Sequence, residues 1–131
     1  MQQSDKRKLD NIFRRLASVP SIRKKLKSRT VGIFLLSDKE MKRLKKAFLP
    51  RKKGPANVLA FPEPAHWPRP ETKMKPLGEI YLNRKFAVSD AATARLLLHG
   101  LLHLLGYEHK KKSDRIKMEK VERELGSKFL K

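Results

Sequence analysis

The chain has 131 residues, 39% apolar and 35% charged, enough to bury one core and too few for two comfortable ones, so residues 1–131 are expected to form a single domain. Thirty-three Lys and Arg against 13 Asp and Glu give a net charge of +20, which argues against a basic partner and favours a polyanion, nucleic acid first. The lack of Cys excludes a disulfide framework, a disulfide-linked partner, a thiol nucleophile and thiolate metal ligands, so a metal would have to be held by His or carboxylate.

Met1 to Asp10 is polar and charged, and the most apolar run, Leu96 to Leu105, is interrupted by His99, Gly100 and His103. Neither a signal peptide nor a membrane span is expected, and no membrane partner. Residues 1–54 hold 18 basic and 4 acidic side chains, so the positive field is concentrated there, and this part is expected to supply most of the phosphate contacts to a nucleic acid.

Leu9, Ile12, Phe13 and Leu16 recur at helical spacing between Ser4, a candidate cap, and Pro20, which predicts a first amphipathic helix. Ile22 to Arg29 carries too many cations for periodicity to assign an element. Thr30 to Leu36 (TVGIFLL) reads as a buried strand. Ser37 with Glu40 forms a capping box for a second helix, lined by Met41, Leu44 and Phe48 and stopped by Pro50. After RKKGP, where Gly and Pro break the helix, Asn57 to Phe61 reads as a short strand. A proline-rich loop carrying His66 and Trp67 leads to a third strand, Leu77 to Leu82. Ser89 and Asp90 cap a long helix that ends at Gly106, and Ser113 caps a last one with Met118, Val121 and Leu125. About three strands and four helices imply an α+β or α/β fold: a small mixed sheet flanked by helices.

Three of the four His fall within HGLLHLLGYEH, at His99, His103 and His109. On a helix the first two are about 40° apart around the axis and one turn apart along it, so both imidazoles can reach one ion. Gly106 can take a positive φ and turn the chain back to deliver His109. Three neutral imidazoles with an open fourth position describe a catalytic zinc site holding one Zn2+ ion. Burying these rings in a Leu-rich stripe without a shared partner would leave ring nitrogens unsatisfied at about 1–3 kcal/mol each. The spacing also matches the metzincin metalloproteases, whose general base is a Glu at the position held here by Gly100. Glycine accepts no proton, and Glu108 is not an evident substitute.

HGLLHLLGYEH resembles the signature H-G-x-L-H-L-x-G-Y-D-H of the YbeY family of endoribonucleases in ribosomal RNA maturation. PANVLAFP at Pro55 to Pro62 is similar to the family's P-T-N-V-L-S-F-P, and LGEIYL at Leu77 to Leu82 to its L-G-D-I strand, so the resemblance runs roughly from residue 30 to 125. It implies a metal-dependent ribonuclease of the bacterial cytoplasm, a mixed sheet with a metzincin-like His-bearing active-site helix, and zinc on His99, His103 and His109. Glu108 replaces the family Asp, Ala56 and Ala60 replace a Thr and a Ser expected beside the metal, and the interval before His99 looks shorter than usual. The family's Arg before the NVL segment falls, with a one-residue gap, opposite Leu49, which makes nearby Arg51 the candidate.

Zinc on three imidazoles acidifies bound water and polarises a phosphoryl oxygen. His103 is thus expected to act in catalysis as well as ligation, and Arg51, with Arg69 second, to neutralise charge on the transition state. Lys52, Lys53, Asn57, Lys110 and Lys111 are the expected RNA contacts, while Lys112 extends the lysine run and His66 and Trp67 are candidates for base stacking. The expected function is hydrolysis of single-stranded RNA in 16S rRNA maturation and ribosome quality control, with ribosomal RNA and the small subunit as partners. A noncatalytic ribosome-binding protein with a structural metal is the alternative, and a metallopeptidase a weaker one.

Overall fold

The computed structural model of the chain describes residues 3–27, 29–51, 54–63, 76–107 and 111–129. Helix α1 (Gln3–Ala17) buries Leu9, Ile12 and Leu16, the face that the spacing predicts, with Phe13 half-buried. Ser4 lies inside its first turn rather than at the cap. Pro20 ends one helix and begins another: α2 (Pro20–Leu26) starts with that proline in its first turn, where its missing N–H has no partner to lose. Only Ile22 and Leu26 of α2 are buried. These two residues, amid four polar or basic neighbours, give too short a stripe for periodicity to find.

Strand β1 (Thr30–Leu36) spans the expected residues but is half-buried, with Phe34 exposed. The expectation of a buried strand is therefore corrected, and the cause is position. The sheet order is β1-β3-β2, with β2 (Val58–Pro62) and β3 (Pro76–Asn83), so among the described residues β1 is an edge strand. β1 runs parallel and β2 antiparallel to β3, which makes the sheet mixed. Pro62 pairs with Gly78, where an added Cβ would lie 2.4 Å from the Phe61 carbonyl oxygen, so this crossing needs the glycine of the LGEI segment.

Alternate strand residues face two packing layers. Ile80, Leu82, Val58 and Ala60 join the main core with α1, α2 and two later helices, α4 (Asp90–Leu104) and α5 (Lys112–Phe129). On the other side, α3 (Asp38–Phe48) places Met41 over Leu59 and Ala56. The Ser37–Glu40 capping box of α3 forms as expected, both bonds being 3.2 Å. It holds the Glu40 carboxyl below its ordinary pKa, chiefly through the Ser37 backbone N–H. Met118 and Val121 of α5 are buried as expected, but the helix starts at Lys112, so Ser113 is in its first turn and not its cap; the Leu125 side chain lies outside the described residues. Five helices and three strands among the described residues make the fold α+β.

Asn83 fastens the two layers at the end of β3. It is fully buried, its Nδ2 donating to Asp38 Oδ1 (2.8 Å) and the Ala56 carbonyl (3.0 Å), while its Oδ1 accepts from the Lys85 N–H (2.9 Å). The Asn83 amide is the main cause of the Asp38 carboxyl's lowered pKa, with Lys42 next. Asn83→Ala would strand two backbone groups and is expected to cost about 2–4 kcal/mol in urea unfolding. A loss below about 1 kcal/mol would mean that these bonds are replaced by water.

Candidate functional site

Helix α4 begins at Ser89, whose hydroxyl accepts from the Ala92 N–H at 3.1 Å, and its Ala and Leu content favours the helix once started. It lies across β2 and β3 with Leu97, Leu98, Leu101 and Leu102 buried. Gly100 faces the sheet at close range: an added Cβ would stand 2.8 Å from Ile80 Cγ2 and 3.1 Å from Val58 Cγ2. The glycine at the protease-base position is therefore a packing requirement. It points into the core, where a side chain could not serve a reaction in solvent.

His99, half-buried, and His103, exposed, lie one turn apart on the flank of this strip. Their rings meet at 76° with centroids 4.7 Å apart, and the two Nε2 atoms are 3.2 Å from each other. Two nitrogens on a tetrahedral zinc, each at about 2.05 Å, stand about 3.3 Å apart. The spacing of the pair thus matches two corners of such a site.

The end of α4 reverses the chain directly after His103. Gly106 has φ +93°, its N–H donates to the His103 carbonyl (3.1 Å), and the Tyr107 N–H donates to the Leu102 carbonyl (3.0 Å). These two bonds form a Schellman motif, which glycine closes with least strain. Tyr107 is then buried, with Lys25 Nζ 4.2 Å from its ring centroid, so the turn is pinned. His109, Glu108 and Lys110 follow and lie outside the described residues. Among the described residues no three His, Asp or Glu side chains gather as a metal site, which leaves the metzincin-like three-histidine arrangement as an expectation.

The other candidates divide. Lys52, Lys53, His66, Trp67 and Arg69 lie outside the described residues. Arg51 is exposed just past α3, the helix on the opposite sheet face from α4, and no described contact brings it to the histidines. Lys111 is exposed before α5. Asn57 Oδ1 is buried with no hydrogen-bond partner, the one such side-chain atom among the described residues. Ala60 packs in the α4 layer, but Ala56 is buried under α3 against Met41 and Leu59. The missing Ala56 hydroxyl therefore bears on that second core and not on the histidine pair, which corrects the sequence-based placement. Tyr81, also on the α3 side, has its hydroxyl pKa pushed up to about 12 by burial and by the Glu79 carboxylate that accepts its hydrogen bond, so it stays a neutral donor.

What the sequence reading lacks is a basic groove where α2 and α5 meet, lined by Lys24, Lys25, Lys27, Arg29, Lys117 and Lys120. No described helix is long and apolar enough to cross a membrane.

Comparison with known proteins gives the chain a family and a related fold. The family model described as Endoribonuclease YbeY matches residues 1–130. A protein named Endoribonuclease YbeY from Coxiella burnetii is 35% identical over 80 residues, 54% of this chain and 51% of that one. Another of that name from a Mycobacterium species is 38% identical over 86 residues, 55% and 49% of the two chains. The chain spans about half the length of these relatives. The solution structure of a Thermotoga maritima protein superposes with a TM-score of 0.57 at 25% identity, covering 98% of this chain and 87% of the other.

Proposed function

Because the chain belongs to the YbeY endoribonuclease family, we propose that it is a zinc-dependent endoribonuclease that hydrolyses single-stranded RNA, ribosomal RNA foremost, in 16S rRNA maturation and ribosome quality control in the cytoplasm. The observation that carries this reading is the pair of Nε2 atoms 3.2 Å apart on one turn of α4, followed at once by a chain reversal. On this reading His99 and His103, each deprotonated at Nε2, would give two ligands, and His109, which follows the Gly106 reversal in the sequence, would give the third. A zinc ion there would lower the pKa of its water toward about 7 and polarise a phosphoryl oxygen.

The surrounding residues supply the rest. Net charge +20 draws in a polyanion. Arg51, Lys52, Lys53, Lys110 and Lys111 are the cations nearest in sequence to the NVL segment and the last ligand, and on this reading they hold the phosphates. Asn57, half-buried beside β2, is the remaining expected RNA contact on this reading. Gly100, directed into the sheet, leaves a peptidase without its base.

The test is cleavage of a labelled single-stranded RNA, with casein as the control substrate. Metal-replete protein is expected to cut RNA and spare casein, chelator-treated protein to cut neither, and added zinc to restore the first. Digestion of casein with RNA left intact overturns the assignment.

A further inference from the structure

We propose that the groove between α2 and α5 is a second binding track on this molecule, one that holds the phosphate backbone of single-stranded RNA away from the histidine pair; this rests on the endoribonuclease reading above. The groove has a volume of about 910 Å³; its described lining carries six cations, and the Glu124 carboxylate stands beside it, accepting from the lining Ser21 hydroxyl at 3.4 Å. Four of them, Lys24, Lys25, Lys27 and Arg29, come from α2 and the residues just after it; Lys117 and Lys120 come from α5. Leu105 and Tyr107, either side of the Gly106 turn, form its apolar floor.

Three of the six cations, Arg29, Lys25 and Lys27, are set in place by their surroundings. The Arg29 guanidinium is fixed by donating to the Leu26 carbonyl (3.0 Å) and the Lys25 carbonyl (2.7 Å). Lys25 sits over the Tyr107 ring at 4.2 Å. Lys27, the C-cap of α2, adopts φ 51° and ψ 45°, the left-handed conformation in which glycine is the unstrained residue. A cation occupies the position where local backbone energetics favour Gly, and its side chain lines the groove.

A comparable groove on α1, about 880 Å³ and lined by Arg7, Lys8, Arg14 and Arg15, differs in one respect. It contains Asp90, whose carboxylate lies 3.0 Å from Lys8, so part of its field is already cancelled. Shape favours RNA over a bilayer, because the α2–α5 cations surround a concave channel with its apolar floor recessed, which a flexible phosphate chain can enter and a planar headgroup surface cannot. Leu105 falls about 160° around the helix axis from His103. The groove therefore draws on the side of the α4 end away from His103, and the Gly106 turn joins the two in sequence.

The experiment measures binding of a short mixed-sequence single-stranded RNA, in chelator so that binding is read without cleavage, over a series of salt concentrations. The variant Lys24→Gln, Lys117→Gln, Lys120→Gln removes three exposed cations. The control Lys39→Gln, Arg43→Gln, Lys46→Gln removes the same charge from exposed positions of α3. Each phosphate neutralised contributes about 0.7 to the single-strand salt slope, so the groove variant should lose about 2 from the slope and roughly 10–100-fold in affinity near 0.1 M salt. The control should lose less than about threefold if its lysines touch no phosphate.

Lys27→Gly provides an independent check, because it removes a cation and relieves the left-handed backbone together. Its melting temperature should equal or exceed that of the wild type while RNA affinity falls about 3–5-fold. Equal losses in the groove and control variants, or unchanged RNA binding by the groove variant, would overturn the proposal. So would loss of binding to phosphatidylserine vesicles with RNA binding intact, which would make the groove a membrane contact. Wild-type protein that neither binds nor cleaves RNA would remove the endoribonuclease reading and the groove with it, whereas wild-type cleavage together with normal binding by the groove variant would remove the groove alone.

Discussion

Replacing Gly100 by Glu, the residue that would complete an H-E-x-x-H protease motif, is expected to prevent folding instead of creating a peptidase. The Cβ alone would meet Ile80 Cγ2 at 2.8 Å and Val58 Cγ2 at 3.1 Å, and Ile80 is fully buried. Overpacking of this kind costs about 1–3 kcal/mol. A carboxylate driven into an apolar layer without a partner adds several more. The total approaches the whole stability of a typical domain, about 5–15 kcal/mol. Gly100→Ala is the informative comparison: it suffers the contact but gains roughly 1 kcal/mol of helix propensity, so it should fold with a modestly lowered melting temperature. Soluble yield, circular dichroism melting and casein digestion measure the outcome. A Gly100→Glu protein that melts like the wild type, or that digests casein, would show that this face of α4 is open and that the missing Glu is a choice of chemistry and not of packing.

The features legible in the sequence are those with local causes. The Ser37–Glu40 box, the Ser89 cap and the Gly106 reversal each depend on residues within a few positions of one another, and each forms at the expected place. The spacing of His99 and His103 likewise belongs to the helix itself. What sequence could not give depends on distant partners. β1 reads as buried because TVGIFLL carries no charge and only Thr30 is polar, yet among the described residues it is an edge strand. Phe34 is exposed on its face but stacks on Tyr81, its partner on β3, at 5.0 Å. The α2 segment is masked by its cations, since only Ile22 and Leu26 anchor it. The groove exists only where those cations meet Lys117 and Lys120, some ninety positions later. No charge count along the chain could place them together: the excess in residues 1–54 marks a region and singles out no helix within it.

His103→Ala should separate metal chemistry from fold. The side chain is exposed, and Ala is the best helix former, so the variant should melt in chelator within a few degrees of the wild type. With zinc the two should diverge. Loss of residues that merely orient metal ligands costs about 10–100-fold in affinity, so loss of a direct ligand should exceed roughly 100-fold. At a free zinc concentration about 100 times the wild-type Kd, linkage stabilises the wild type by about 2.7 kcal/mol, or roughly 10 °C in Tm, and the variant by a small fraction of this. RNA cleavage that follows occupancy should fall about twofold or more at that zinc concentration, and about 50-fold or more at free zinc near the wild-type Kd. Contaminating ribonuclease imitates slow cleavage, so the variant, the wild type and chelator-treated wild type must be purified identically and compared on one labelled RNA. An undiminished zinc shift in the variant, or equal cleavage by all three preparations, would mean that the 3.2 Å pair is not the metal site. Wild-type RNA binding with no cleavage at any zinc concentration would instead favour a ribosome-binding protein, in which the ion serves only to hold the Gly106 turn against α4.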